Sequence, residues 1–437
     1  MPITDDDIGT VRRSPLEGAT EAPWTWHGSV ELFDEGEANL RRCVGDVDAF
    51  FNEHWERSPL LARGKGDFDD LLDLDAVDRV VARGALHYPA VQLLREGHDL
   101  LRDESLRQSA AAGPNLFRNR LTPERVLDAV SAGATLILNR SQHCWPGLDS
   151  FCRALTVRLS HQVTANVFLT PAGSRGNARH WDPVDVLVLQ LHGTKTWTIE
   201  APIVELPMWT PPYKKAADLP PTEVVLEADL TPGDCLYLPR GFTHSARAQV
   251  DPSLHISLVI NDGSIVRALS GELGSSGEAV PGLDVHLPVG FERNDVPSPS
   301  ATSWQVVDGL RFDGQAVLEN AKERFWVEQQ RPVRGTLTSL VNSSAATVDT
   351  EVERTPGIVV RTQLCDGRMF LRTDAREVSL PATFAPLVAQ LIAGPPVVLA
   401  DIVAPAGWDD GLVVVRRLLR EGILLWRGRK VRDVDHR

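Results

Sequence analysis

His180, Asp182, His244 and Lys195 are the residues whose types and spacing could do chemistry together. The first two stand as H-x-D inside NVFLTPAGSRGNARHWDPVDVLVLQLHGTKTWTIE, residues 166–200. On an extended strand, residues two apart share a face, so this imidazole and carboxylate can approach one cation. A third ligand is offered by His244 in GDCLYLPRGFTHSA, where Gly233-Asp234 makes a turn, LYLP a strand and Pro239-Arg240-Gly241 a second turn. Two histidines and one carboxylate on one face of an iron ion leave three coordination positions open, as an oxygenase requires. Two of these would hold a chelating 2-oxoacid and the third O2. Lys195 follows His180 by fifteen residues, beyond the strand-like VDVLVLQL and a His192-Gly193 turn. It therefore falls on the neighbouring strand of a hairpin, where its ammonium could pair with the distal end of a dicarboxylate.

An H-x-D alone says little, since roughly one arises by composition in a chain of this length. The succession of strand, two ligands, turn, lysine and a later PRG-x-x-H is much rarer. His255, in SLHISLVI, reads as a satisfied core histidine of an apolar strand, and His54, His87, His98 and His143 read as structural too. Arg175 and Trp181 are candidates to flank the pocket entrance and meet a substrate, with surface packing as the alternative.

What must position these residues is a β-rich middle section. Between Thr135 and about Ile260 the sequence runs through ATLILN, TANVFLT, VDVLVLQL, KTWTIE, DCLYLP and SLHISLVI, separated by Pro and Gly turns. So many short strands predict a barrel or sandwich. Residues 1–28 read as a flexible lead-in. From Val30 to Val130 the spacing predicts a helical collar, with helices over Val47 to Trp55 and from Thr122, where Pro123 sits in the first turn. Prolines 281, 288, 297 and 299 predict a loop over 278–300, and an amphipathic helix is expected from Gln315 to Gln330. Residues 266–345 are thus a helical linker region, with a Ser/Thr/Ala-rich second linker near 343–350. The remainder, 346–437, orders strands GIVVRTQL and GRMFLRT before helices at 384–392 and 412–420 and a strand ILLWRG, resembling a winged helix.

Composition excludes several classes. With 437 residues, 43% hydrophobic and 24% charged, the chain is globular and large enough for two or three domains. Its net charge of -14 argues against broad nucleic-acid or membrane binding and favours a basic partner. The C-terminal unit from Thr336 to Arg437 has thirteen Lys/Arg against twelve Asp/Glu, so no direct DNA binding is expected. Five cysteines without C-x-x-C spacing, an acidic Asp5-Asp6-Asp7 opening and no long apolar run lead us to expect a cytoplasmic protein with no membrane segment.

The same residues carry a resemblance to a known family. NVFLTPAGSRG followed by HWD, then LQLHGTKTW and GDCLYLPRGFTH, resembles the ribosomal oxygenases of the JmjC/cupin type, and FFNEHWERSPLLARG from Phe50, LHYPAVQLLREG from Leu86 and GATLILN from Gly133 extend the likeness. That resemblance implies an α+β fold: a double-stranded β-helix (cupin/JmjC jelly-roll) over 29–265 with its helical collar, a dimerisation region and a C-terminal winged helix. It implies Fe(II) held by His180, Asp182 and His244, 2-oxoglutarate held by Lys195, Asn166 near the cosubstrate, and a homodimer. The implied reaction is hydroxylation of an arginine or histidine side chain in a ribosomal protein or other polypeptide. A peptide natural product or free amino acid is the alternative substrate, and a non-catalytic cupin module the alternative class. Phe168 departs from the tyrosine that relatives often carry, Trp181 fills the middle of H-x-D, and Pro183 follows it in place of an acid. Those departures bear on substrate choice more than on the metal.

Overall fold

The computed structural model describes residues 9–12, 24–84, 86–102, 108–112, 115–207, 220–261, 314–329, 332–373, 376–403 and 408–429. The chain forms two compact units, one of residues 30–262 and one of residues 1–29 with 263–437.

The first unit is built on two sheets. Its strands are β1 (Leu60–Ala62), β2 (Val91–Arg95), β3 (His98–Asp99), β4 (Thr135–Leu138), β5 (Val163–Thr170), β6 (Asp185–His192), β7 (Lys195–Glu200), β8 (Val224–Leu230), β9 (Cys235–Leu238), β10 (Thr243–Ala248) and β11 (Ser253–Ile260). An eight-stranded sheet runs β1-β9-β6-β11-β5-β4-β2-β3, and a three-stranded sheet runs β8-β7-β10. Together they make the double-stranded β-helix that the sequence resemblance implies.

Period-two alternation assigns each side chain to one of two compartments. On β6, Leu187, Leu189 and Leu191 join the core beneath the collar, while Val186 and Val188 turn into the barrel. On β11 the same split separates Leu254, Ile256 and Leu258 from His255, Ser257 and Val259. Both faces of these strands are covered, which is why they read in the sequence as nearly unbroken apolar runs.

Helices close the outer core. They are α1 (Ser29–Val44), α2 (Leu74–Ala82), α3 (Pro123–Ser131) and α4 (Pro146–Leu159). In α4, Pro146 pre-sets the first turn, and Leu148, Phe151, Leu155 and Leu159 follow at helical spacing on the buried side. Leu148 and Leu155 are fully buried, so truncating either to alanine should cost about 2–5 kcal/mol.

The collar differs from expectation. Residues 30–130 are not purely helical: β1, β2 and β3 extend the major sheet, and residues 86–87, 108–112 and 115–121 form a further three-stranded sheet. Short segments such as LLA and VQLLR are strands because neighbouring sheet edges supply the hydrogen bonds that a short isolated helix lacks.

The second unit contains β12 (Thr350–Arg354), β13 (Val360–Cys365), β14 (Arg368–Arg372), β15 (Arg376–Pro381), β16 (Val397–Val398) and β17 (Leu424–Arg429), with α5 (Gly314–Glu328), α6 (Thr336–Asn342), α7 (Ala385–Ile392), α8 (Leu399–Ile402) and α9 (Trp408–Arg420). Two expectations are corrected here. Within 1–28, residues 9–12 pair with β15 and residues 25–27 with β13, so these parts of the expected lead-in are sheet strands. The expected linker near 343–350 is also structural: Ala346 is buried in this unit's core, and Arg416 Nη2 donates to its carbonyl at 2.9 Å. The proline-marked loop at 278–300 lies outside the described residues.

Candidate metal centre

His244 is held by β10, in register with Ile199 of β7, while His180 comes from the segment ahead of β6. The two backbones exchange hydrogen bonds, His180 N–H to His244 O at 3.1 Å and His244 N–H to His180 O at 2.7 Å. Their rings consequently stand 4.3 Å apart, centroid to centroid. Each ring presents Nδ1 to a backbone carbonyl two residues upstream, His180 to Ala178 at 2.9 Å and His244 to Phe242 at 3.1 Å. A proton placed there leaves Nε2 of both rings with a free lone pair, the tautomer a metal needs. Asp182 Oδ2 lies 3.8 Å from His180 Nε2 and 3.7 Å from His244 Nε2. Among the described residues these three form the one group of His, Cys, Asp or Glu able to surround a metal ion.

Burial, with the nearby His180, pushes the His244 imidazole down to about 4, against the opposing pull of Asp182. The ring is neutral near pH 7 and ready to ligate. Two imidazoles and one carboxylate, open on one side to a cavity, fit a divalent iron.

Turn geometry fixes the loops around the triad. Gly241 adopts a left-handed φ of +91°, and a Cβ there would stand 2.4 Å from the Val204 carbonyl oxygen. This permits Gly241 N–H to donate to the Asp182 carbonyl at 2.9 Å. On the other side, Arg179 grips Glu200 of β7 through two 2.7 Å contacts, pinning the residue before His180.

The triad opens into a cavity of about 790 Å³ between the two sheets. Lys195 lines this cavity. It is fully enclosed, its Nζ donates to Thr170 Oγ1 at 3.0 Å, and Thr135 donates to the same hydroxyl oxygen at 3.1 Å. No carboxylate pairs with it among the described residues, and burial pushes its ammonium down to about 7. A buried cation with no anion is a site that awaits one.

Asn166 lines the cavity and accepts from Arg140 N–H at 3.0 Å. Trp181 and Arg175 do not line it: Trp181 is buried, and Arg175 is exposed. Sequence reasoning also set aside two histidines that do. His98 lines the cavity. His255 lies beside Lys195 under a parallel Phe168 ring at 4.8 Å, its Nδ1 buried and without a hydrogen-bond partner among the described residues. Burial, then the Lys195 charge, holds its pKa well below the usual histidine range. The signal was present in register, because His255 alternates with the core residues Leu254 and Ile256 and so had to face inward.

The fold and donor set define a cupin-type protein, and residues 141–266 match the JmjC domain. The chain is 31% identical over 239 residues to the bifunctional lysine-specific demethylase and histidyl-hydroxylase NO66 of Drosophila pseudoobscura pseudoobscura, covering 53% of this chain and 23% of that protein. It is 32% identical over 221 residues to ribosomal oxygenase 1 of Homo sapiens, covering 48% and 32%. The match thus spans a third or less of these curated relatives. In fold it is similar to the Escherichia coli ribosomal oxygenase YcfD, with TM-score 0.50, 14% identity and coverage of 87% of this chain and 98% of that one. Residues 141–266 thus carry a JmjC domain, and the chain is similar to ribosomal oxygenases over about half of its length.

Proposed function

We propose that the protein is an Fe(II)- and 2-oxoglutarate-dependent dioxygenase that hydroxylates a side chain of a basic polypeptide, a ribosomal protein foremost. The observation that carries this reading is the union, in one cavity, of a pre-formed His180/Asp182/His244 triad and a buried Lys195 with no carboxylate partner. Bound by the triad, iron would supply the oxidising chemistry that converts substrate, O2 and 2-oxoglutarate into hydroxylated product, succinate and CO2. Lys195, with Thr170 behind it, would anchor the distal carboxylate of 2-oxoglutarate and so orient its oxoacid end toward the triad. Asn166 would stand near the cosubstrate, while Ile137, Val186, Val188 and Leu238 supply apolar wall that keeps bulk water out.

A basic substrate side chain is supported by Asp99. It is the one carboxylate lining the cavity besides Asp182. Gln92 Nε2 holds one of its oxygens at 3.1 Å and Leu101 N–H the other at 3.0 Å, and it has no ion pair among the described residues. A guanidinium or protonated imidazole would complete it. The NO66 relative is named a histidyl-hydroxylase, which keeps histidine beside arginine as the target.

In the same reading the protein is cytoplasmic, supported by five free thiols. No helix among the described residues is long and apolar enough to cross a membrane. The C-terminal unit is winged-helix-like and does not bind DNA, and the protein is a homodimer, for which the exposed Val333, Leu337 and Val341 offer an apolar surface. Succinate release by the iron-loaded protein, with a ribosomal-protein peptide gaining one oxygen atom, tests the function. An iron-loaded protein that never turns over 2-oxoglutarate would leave the non-catalytic cupin reading instead.

A further inference from the structure

Outside the cavity, a ring of hydrogen bonds and charge joins four residues from three parts of the first unit: the collar, the start of β6, and β9 with the turn after it. Tyr237 O–H, on β9, donates to Asp185 Oδ1 at 2.6 Å. Glu56 N–H, in the collar, donates to Tyr237 Oη at 2.9 Å. Arg240 Nη2 donates to Glu56 Oε1 at 2.6 Å, and the Arg240 charge and backbone act on the Asp185 carboxyl against the upward push of burial, completing the ring. Glu56 makes both of its ties from a left-handed backbone, φ +54°, a conformation that costs a non-glycine residue on the order of 1 kcal/mol.

Placement gives the ring its meaning. Asp185 begins β6 immediately after the Asp182-Pro183-Val184 segment, and Arg240 lies in the turn that runs through Gly241, Phe242 and Thr243 into His244. Three ties therefore clamp the two ligand-bearing segments in sequence: the ring, then Gly241 N–H on the Asp182 carbonyl, then the paired His180 and His244 backbones. Asp185 and Tyr237 are both buried, and a buried polar group is often outdone in stability by an apolar one of its size.

We propose that Asp185, Tyr237, Glu56 and Arg240 act as one positioning device that sets Asp182 at its working distance from the two histidines before a metal arrives. This rests on the metal-centre reading. None of the four touches the triad side chains' ligand atoms; they act through the segments that carry them.

The test is Co(II) titration of the full chain in the presence of 2-oxoglutarate, followed by the visible d–d bands, beside thermal unfolding of the metal-free protein. Tyr237→Phe keeps the ring's packing and deletes its central hydroxyl. It should weaken Co(II) binding about tenfold or more, within the span seen for outer partners of metal ligands, and shift the d–d spectrum. Glu56→Gln, at a partly exposed position, should move both readouts the same way by less, and it carries the test if Tyr237→Phe does not fold. A ring that is only structural would lower the unfolding midpoint while leaving Co(II) affinity and spectrum unchanged, and that result overturns the proposal alone. Failure of the unaltered chain to bind Co(II) overturns the metal reading, and the proposal with it.

Discussion

Replacing Lys195 with methionine separates what this residue does for binding from what it costs the fold. Burial takes its ammonium from 10.5 to about 7, and each pKa unit is worth about 1.4 kcal/mol. The lone charge is therefore destabilising by up to roughly 5 kcal/mol at low pH. Because the folded pKa lies below the unfolded one, the unfolded chain holds the extra proton between about pH 7 and 10.5. Stability of the cosubstrate-free protein should then rise with pH through that window, and be lost again as pH falls toward 7. Lys195→Met should abolish that slope and raise stability near neutral pH. It should also weaken 2-oxoglutarate binding by about 2–5 kcal/mol, some thirty-fold to several thousand-fold, as expected when a buried charge pair loses one partner. Denaturant unfolding across the pH window, with and without 2-oxoglutarate, reads both effects. A variant that is less stable than the parent and still binds 2-oxoglutarate equally well would refute the reasoning.

Three further outcomes are expected. The double variant His180→Ala/His244→Ala should lose stoichiometric Fe(II), measured by metal analysis after desalting; retention would remove the triad. Asp99→Asn should lower turnover of arginine-bearing peptides about ten-fold or more while sparing citrulline-bearing ones, since a charge-assisted contact is worth about 1.5–3 kcal/mol; equal loss on both would deny Asp99 its role. Affinity for a basic polypeptide should fall with added salt, because the net charge of -14 attracts it over distances that salt screens; binding isotherms at low and high ionic strength with no such trend would favour a free amino acid.

Much of the barrel could be read from the sequence because its central strands are covered on both faces. VDVLVLQL and SLHISLVI have no solvent side, and hydrophobicity alone marks them. By contrast β8, VVLEADL, sits at the edge of the small sheet with most of its side chains in water, and its acids hid it. The triad was readable from H-x-D and from the turn in PRG-x-x-H, although the strand expected under H-x-D is absent: His180 makes only an isolated bridge to His244, and Asp182 lies ahead of β6. Lys195's partner Thr170 was not, since twenty-five residues and a whole strand separate them and only the closed barrel brings them together. His255 shows the limit most clearly: alternation says that a side chain points inward, but not whether inward means packed core or hollow.

The two N-terminal strands have a consequence for how the chain is made. Residues 9–12 and 25–27 lie at opposite margins of one sheet, flanking β15, β14 and β13 between them. During synthesis these segments emerge well ahead of their partners, residues 360–381, which come more than three hundred residues later. The unit of residues 30–262 is complete long before that and can fold in the interval. Until residues 360–381 emerge, these two strands have no sheet of their own to join. Once in place they occupy both flanks of β13–β15, positions where bare strand edges would otherwise invite other chains. A truncated protein starting at residue 30 would keep its cavity and lose that protection.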